Sequence, residues 1–182
     1  MIYPITVYGN AVLRKETENI TPDYPNLKEI INNMFETMDN ADGVGLAAPQ
    51  VGLNIRLFVI GLDCLADSNP QFKDFKRVMI NPEIIERLGD DVTAEEGCLS
   101  IPGVHENVTR KNNVRIVYLD ENFVEHDELY EGYPARVIQH EYDHLEGNLF
   151  IDHVSPIRKQ LIKGKLNSIQ KGKINCRYRI KN

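Results

Sequence analysis

The sequence has few of the features that mark secreted or membrane proteins. Its three cysteines, Cys64, Cys98 and Cys176, are odd in number and widely spaced, which does not suit a disulfide framework. The N-terminal residues lack the basic and apolar segments of a secretory signal, and no apolar run approaches the roughly 20 residues of a membrane span. We therefore expect a reducing compartment, the cytoplasm, with no membrane partner and with Cys64 and Cys176 buried in the core.

Positive charge is also scarce. The formal net charge of -6 argues against DNA as a partner, because phosphate contacts need clustered lysines and arginines. The one basic stretch covers residues 158–173, where cations alternate at helical spacing with four apolar residues, Leu161, Ile162, Leu166 and Ile169. This pattern favours a solvated helix face. A weak contact with ribosomal RNA remains the alternative.

The composition is that of a globular protein. Hydrophobic residues make up 42% and charged residues 26% of the 182 positions, and we find no repeat, low-complexity tract or linker. A chain of this length can bury one full core but is short for two. We expect one domain over residues 1–182, working as a monomer.

Three helices are predicted from apolar periodicity and from helix-end signals. The first covers residues 25–40, with a core stripe formed by Leu27, Ile30, Ile31, Met34, Phe35 and Met38. The second covers residues 134–145, between a proline suited to its first turn and Gly147 suited to its end. The third covers residues 156–170.

Short strands are predicted at residues 56–61, 77–80 and 114–119, with irregular chain at 97–103. Alternation at Ile174, Cys176, Tyr178 and Ile180 predicts a short final strand. Because helices and strands do not alternate regularly, we expect an α+β fold, with short antiparallel strands around a central metal-binding helix.

Residues 140–144, HEYDH, match the metal-binding pattern H-E-x-x-H inside the second predicted helix. At 3.6 residues per turn, His144 lies only about 40° around the helix from His140, so both imidazoles can reach one metal ion. Glu141 lies beside the pair, where it can take a proton from water activated there. The alternative is an ordinary helix face on which these polar groups are satisfied.

A catalytic site of this kind usually has a third protein ligand. The longer protease pattern would need a histidine where Phe150 stands, and residues 152–182 contain no glutamate, which leaves Asp152 and His153 as weak substitutes. Upstream, Cys98 offers a thiolate in a stretch shaped by Gly97 and Pro102. A buried structural cysteine would suit the same local sequence equally well.

Three motifs together resemble the peptide deformylases. Residues 43–50 (GVGLAAPQ), 96–100 (EGCLS) and 140–144 (HEYDH) are similar to that family's first, second and third motifs, in the same order and with similar spacing over nearly the whole chain. The resemblance implies a hydrolase that removes the formyl group from the N-terminal formylmethionine of nascent polypeptides and releases formate.

The resemblance also implies the site. It makes Cys98, His140 and His144 the metal ligands and Fe(II) the usual ion, with zinc, nickel or cobalt as substitutes. One thiolate and two imidazoles would suit zinc equally, so the choice of iron comes from the family alone. Glu141 then serves as the general acid and base.

The remaining roles concern the substrate. By resemblance, the Gln50 side-chain amide and the Leu99 backbone N–H stabilise the oxyanion. The substrate backbone pairs with Val44, Gly45 and Gly97 as an added strand. We expect a methionine pocket walled by Val137, although that residue could equally be plain core, and Tyr133 is a weaker candidate.

Two rival functions remain open. A metallopeptidase using the same helix would not need Cys98, and a noncatalytic, metal-stabilised binding module would close its coordination with a fourth ligand and would not need Glu141. The family also divides on its C-terminal element, which is a helix in some members and a strand in others. This chain offers both.

Overall fold

The computed structural model describes residues 1–182, and it consists of three α-helices, a five-stranded sheet and a two-stranded sheet. In chain order the elements are β1 (Ile5–Thr6), α1 (Leu27–Asn40), β2 (Gly45–Ala47), β3 (Leu57–Gly61), β4 (Lys76–Cys98), β5 (Ile101–Leu119), β6 (Glu125–Glu131), α2 (Tyr133–Leu145), α3 (Pro156–Gln170) and β7 (Ile180–Lys181). The expected α+β class is confirmed. None of the helices has the length and apolar character needed to span a bilayer.

The large sheet is antiparallel throughout, in the order β2-β3-β4-β5-β6. β2 is therefore an edge strand. β3 pairs only with Lys76–Ile80 at the start of β4, so the rest of β4 pairs with β5 alone and leaves its other side open. The free edges of the sheet consequently include β2, the distal part of β4 and, at the other end of the strand order, β6.

The strands are longer than the sequence pattern predicts. Strands expected at 77–80 and 114–119 are parts of a hairpin whose arms have 23 and 19 residues, and the stretch expected to be irregular holds its tight turn, where Cys98 pairs with Ile101. Most of β4 beyond residue 82 is exposed, and register shifts interrupt its pairing. Apolar alternation therefore does not mark this part of the hairpin, because neither face is consistently buried. β6 was not predicted for a similar reason, since only Tyr130 within it is buried.

The three helices lie where they were predicted, within two residues at each end. α1 buries most of its expected stripe, with Ile30 and Phe35 only partly buried. α3 buries Ile162, Leu166 and Ile169. Leu161, expected on the same apolar set, is 66% exposed. At 3.6 residues per turn it lies roughly 100° around the helix from the middle of the face that these three residues form, outside the buried stripe.

α2 is the centre of the fold. Pro134 occupies its first turn, and Gly147 follows its end in a left-handed conformation with φ +73°. Only two of its residues, Tyr133 and Tyr142, are not buried. Because polar residues on such a helix cannot reach water, each needs a partner inside the protein.

The C-terminal residues alternate between half-buried and exposed side chains as expected, but most of them do not form the predicted strand. Ile174, Cys176, Tyr178 and Ile180 are half-buried between exposed neighbours, but the hydrogen-bonded strand is limited to Ile180–Lys181, which pairs in parallel with β1. The chain thus carries both a C-terminal helix and a C-terminal strand. The expected core burial of the two spare cysteines is wrong: Cys64 is exposed on a short turn after β3, and Cys176 is half-buried.

Candidate metal centre

Cys98, His140 and His144 offer one ligand atom each, and these three atoms all lie within 4.8 Å of one another. Sγ of Cys98 is 3.3 Å from Nε2 of His144. Burial lowers the pKa of His144 to about 3, so its imidazole is neutral at pH 7 and keeps a lone pair for a metal. One cysteine sulfur and two imidazoles form a donor set that suits a divalent transition metal.

Two elements bring the three ligands together. The histidines are one turn apart on α2, as the helix period requires. Cys98 is the last residue of β4, directly before the two-residue turn into β5. The hairpin turn therefore presents the sulfur to the buried face of α2.

Glu96 sets the orientation of His140. Its carboxylate lies 2.9 Å from Nδ1 of His140, so Nδ1–H donates to the carboxylate and Nε2 carries the lone pair on the other side of the ring. Metal-binding histidines usually have such a carboxylate partner, which fixes the tautomer and the ring orientation. Glu96 is thus a supporting residue for the candidate site.

Two buried arginines balance Glu96. Arg110 donates two hydrogen bonds to its carboxylate, at 2.7 and 3.0 Å, and Arg136 donates a third at 2.6 Å. Burial acts to raise the pKa of Glu96, but the hydrogen bonds and positive charges of His140 and Arg110 outweigh it and hold the pKa well below its usual range. Arg110 also donates to Asp143 at 2.9 Å, and His153 lies 2.8 Å from the same oxygen. The charges beneath α2 are therefore paired.

Glu141, by contrast, lacks a compensating partner. It is buried, and its Oε2 makes no hydrogen bond. Burial raises the pKa of Glu141 to about 7. A carboxyl group with a pKa near neutrality can both accept and return a proton, which is the property required of a general acid and base.

Gln50 lies against the cysteine ligand. Its Oε1 accepts a hydrogen bond from the Ala47 backbone N–H at 2.8 Å, which fixes the amide so that Nε2 points to the site. Nε2 is 3.5 Å from Sγ of Cys98 and 3.2 Å from Oγ of Ser100. The side-chain N–H group and the turn that contains Leu99 therefore approach the ligand cluster from the same side.

A cavity of about 560 Å³ opens next to the ligands. The free edges of β2 and of distal β4 border it: Val44 and Gly45 come from the β2 side and Gly97 from β4. Val137, on α2, lines the cavity and also packs into the core. Tyr133 lines it too, with 43% of its surface exposed. Every residue to which the family resemblance gave a role in the site borders this cavity except His144, which belongs to the ligand cluster but not to the cavity lining.

Sequence reasoning missed the residues that support the ligands. Glu96 belongs to the second motif but had no assigned role. Metal-binding histidines usually have a carboxylate partner, and this general rule was a reason to look for one in the sequence. Arg136 lies one helical turn before His140, which is a readable signal once α2 is known to be buried. Arg110 left no local signal. Asp152 and His153, the weak substitute ligands, are not in the ligand cluster.

The chain is similar to known proteins along its whole length. The family model for polypeptide deformylase matches residues 2–160. The peptide deformylase of Flavobacterium johnsoniae is 54% identical, with 100% of this chain and 96% of the relative covered, and that of Christiangramia forsetii is 52% identical with the same coverage.

Solved structures agree with the sequence relatives. The peptide deformylase of Thermus thermophilus superposes with a TM-score of 0.84 at 38% identity, covering 94% of this chain and 99% of that one. A class I type b peptide deformylase of Acinetobacter baumannii, solved with Met-Ala-Ser bound, gives a TM-score of 0.75 at 31% identity, covering 85% and 99%.

Proposed function

The chain belongs to the polypeptide deformylase family, and from that premise we propose how its residues remove the N-formyl group from newly synthesised polypeptides. The protein is a hydrolase, and its Cys, His, His cluster supports a divalent metal. The observation that carries the residue assignments is that Cys98, His140 and His144 converge beside the buried, unpaired carboxyl group of Glu141. A metal held by these three residues would supply Lewis-acid activation of water and of the formyl carbonyl.

Glu141 is the proposed general acid and base. Its carboxylate accepts a proton from the attacking water and returns it to the amine that leaves as the amide bond breaks. Its pKa of about 7 keeps both protonation states accessible at neutral pH. Its burial also shields the proton transfer from bulk water.

Gln50 and Leu99 are the proposed donors to the developing oxyanion. Gln50 is already oriented by Ala47, so its N–H group needs no rearrangement during the reaction. Leu99 follows Cys98 directly, which puts its backbone N–H next to a proposed ligand. Donors fixed in advance are effective because they do not have to reorient as charge develops, and the loss of one typically costs about 3 to 4 kcal/mol of barrier.

The substrate backbone is proposed to lie between the free edge of β2 and the free edge of distal β4. The Gly61 N–H donates to the Val44 carbonyl, so antiparallel alternation directs the N–H and C=O of Gly45 away from β3 and toward the open edge. Gly97 lies on the open side of β4 across the cavity. An extended peptide can pair with these edges while its methionine side chain packs near Val137.

We propose Fe(II) as the native metal, with zinc, nickel or cobalt able to replace it. The donor set itself suits several of these ions. If iron is native, air should inactivate the enzyme by oxidising the metal or Cys98. Stability of the iron form in air for days would contradict this proposal.

The remaining proposals concern the setting of the reaction. One chain supplies the ligands, the proposed base and both edges of the cavity, so we propose a monomer of one domain over residues 1–182. Three unpaired cysteines and a nascent-chain substrate favour the cytoplasm. A weak ribosome contact is assigned to the exposed lysines of α3.

Formate release from a formylmethionyl peptide tests the proposal. The protein is purified anaerobically, its metal content is determined, and the same assay is run on Cys98→Ala. The wild type should release formate, and the variant should lose both metal and activity. A metallopeptidase would instead cut inside the peptide and tolerate the substitution, so wild-type activity in Cys98→Ala would overturn the assignment of the ligands.

A further inference from the structure

The C-terminal segment after α3 forms a wall of the cavity. Four consecutive residues, Asn175, Cys176, Arg177 and Tyr178, line it across from α2. The segment is held at both ends: Ile174 and Ile180 pack on the core cluster around α3, and the Ile5 N–H donates to the Arg179 carbonyl at 2.8 Å. The wall is therefore fixed to the fold and does not hang free over the cavity.

Tyr178 contacts the turn that carries the proposed oxyanion donor. Its hydroxyl donates to the Leu99 carbonyl at 2.7 Å. Leu99 is the first of the two turn residues between Cys98 and Ile101. Its carbonyl belongs to the Leu99–Ser100 peptide group and its N–H to the Cys98–Leu99 peptide group, and the two groups share the Leu99 Cα. Because a two-residue turn closed by strand pairing has few free dihedral angles, a hydrogen bond that holds the carbonyl also restrains φ and ψ of Leu99 and, through them, the direction of the N–H.

Arg177 reaches the opposite rim of the cavity. Its guanidinium donates to the Ala41 carbonyl at 3.3 Å and forms an ion pair with Asp42 at 2.5 Å. These two residues lie in the loop that leads from α1 to Val44 and β2. Arg177 thus contacts the loop before β2, and its neighbour Tyr178 contacts the turn after β4. Together these contacts tie the C-terminal segment to both sides of the cavity.

We infer that Tyr178 is a positioning residue for deformylation, which acts by holding the Leu99 carbonyl and thereby the turn backbone that directs the Leu99 N–H toward the oxyanion. The inference rests on the proposed role of the Leu99 N–H. Tyr178 need not touch the substrate for this role. Tyr178 contributes by orienting a donor. The effect is expected in the transition state, because negative charge develops on the oxyanion there and a misdirected N–H raises the barrier most.

The test compares Tyr178→Phe with Tyr3→Phe. Both substitutions remove only a hydroxyl group, and each removes one partly buried hydrogen bond; that of Tyr3 is with Asn33 on α1, which borders no part of the cavity. For both variants and the wild type, kcat and KM for a formylmethionyl peptide, the melting temperature and the metal content per chain are measured.

We expect Tyr178→Phe to lower kcat about tenfold, less than the roughly 100-fold typical of losing an oxyanion donor outright, with KM within about twofold of wild type and the metal retained. Tyr3→Phe should keep wild-type kcat whatever its melting temperature. Wild-type kcat in Tyr178→Phe would overturn the inference. So would an equal loss of metal and kcat, because Tyr178 would then support Cys98. The proposed function fails separately, if the wild type itself releases no formate.

Discussion

Gly45 and Glu141 are packed so closely that a side chain on the glycine would collide with the carboxyl group. A Cβ atom built on Gly45 would lie 2.8 Å from Cδ of Glu141, and its nearest contact would be Oε1. The absence of a side chain at Gly45 is therefore what lets the edge strand pass directly over the proposed base. Substrate paired with that edge would lie next to the carboxyl group that transfers its protons.

Gly45→Ala should consequently lower kcat by about 10- to 100-fold, because the new methyl group displaces Glu141 from its working position. The metal should remain, since none of its ligands moves directly. Steady-state kinetics together with metal analysis check this. Gly164→Ala is the matched control: no atom lies within 4 Å of its added Cβ, and replacing a helix glycine should stabilise α3 by about 0.5 to 1 kcal/mol without changing kcat. Equal kinetics in both variants would contradict the argument.

Glu141→Gln should keep the metal yet lower kcat by about 10²- to 10⁴-fold, because the amide has nearly the same shape but cannot accept and return a proton. Metal content and formate release are measured on one preparation. Retained turnover would indicate that another group acts as the base. Loss of the metal would instead identify Glu141 as a ligand.

Glu96→Gln should weaken metal binding about 10- to 100-fold, because His140 loses the carboxylate that orients it. Arg110 and Arg136 would lose a charged partner in the same step, so the free energy of unfolding should fall by about 3 to 5 kcal/mol. Competition with a chelator and denaturant unfolding measure the two effects. Glu83→Gln, at an exposed position of the same strand, should change neither. Wild-type metal affinity in Glu96→Gln would disprove the supporting role.

Glu106 should give the stability a dependence on acid pH. Arg158 donates two hydrogen bonds to its carboxylate, both at 2.8 Å, and these, with a smaller effect of Lys165, lower the pKa of Glu106 from 4.5. Since the folded-state pKa is below the unfolded one, the pair stabilises the fold above about pH 4.5, and the gain is lost as the pH falls through the folded-state value.

The melting temperature of the wild type should therefore exceed that of Glu106→Gln at pH 7, and the difference should disappear in strong acid. Thermal unfolding of both proteins across that pH range measures it. A difference that stayed constant with pH would mean that packing of the side chain, and not its charge, accounts for the effect.

The helices and the motifs could be predicted from the sequence because they depend on local interactions. The helical period alone places His140 and His144 on one face with Glu141 beside them, and it locates all three helices to within two residues. The three motifs were sufficient to recognise the family. Such features depend on residues close together in the chain, so the sequence around them determines them.

The tertiary structure alone decided which distant residues meet. Glu96 and His140 are 44 positions apart, and Tyr178 and Leu99 are 79 apart, yet each pair is hydrogen-bonded. The long hairpin also escaped prediction, because most of its β4 arm is exposed and the buried face of its β5 arm includes the charged residues Glu106 and Arg110, which interrupt the apolar alternation. Contacts between distant segments form through the burial of many residues at once, and no short stretch of sequence records them. For that reason the helix motif could be recognised from the sequence. The Glu96 carboxylate that orients His140, and the C-terminal segment with Tyr178 that lines the cavity, could be identified only from the tertiary structure.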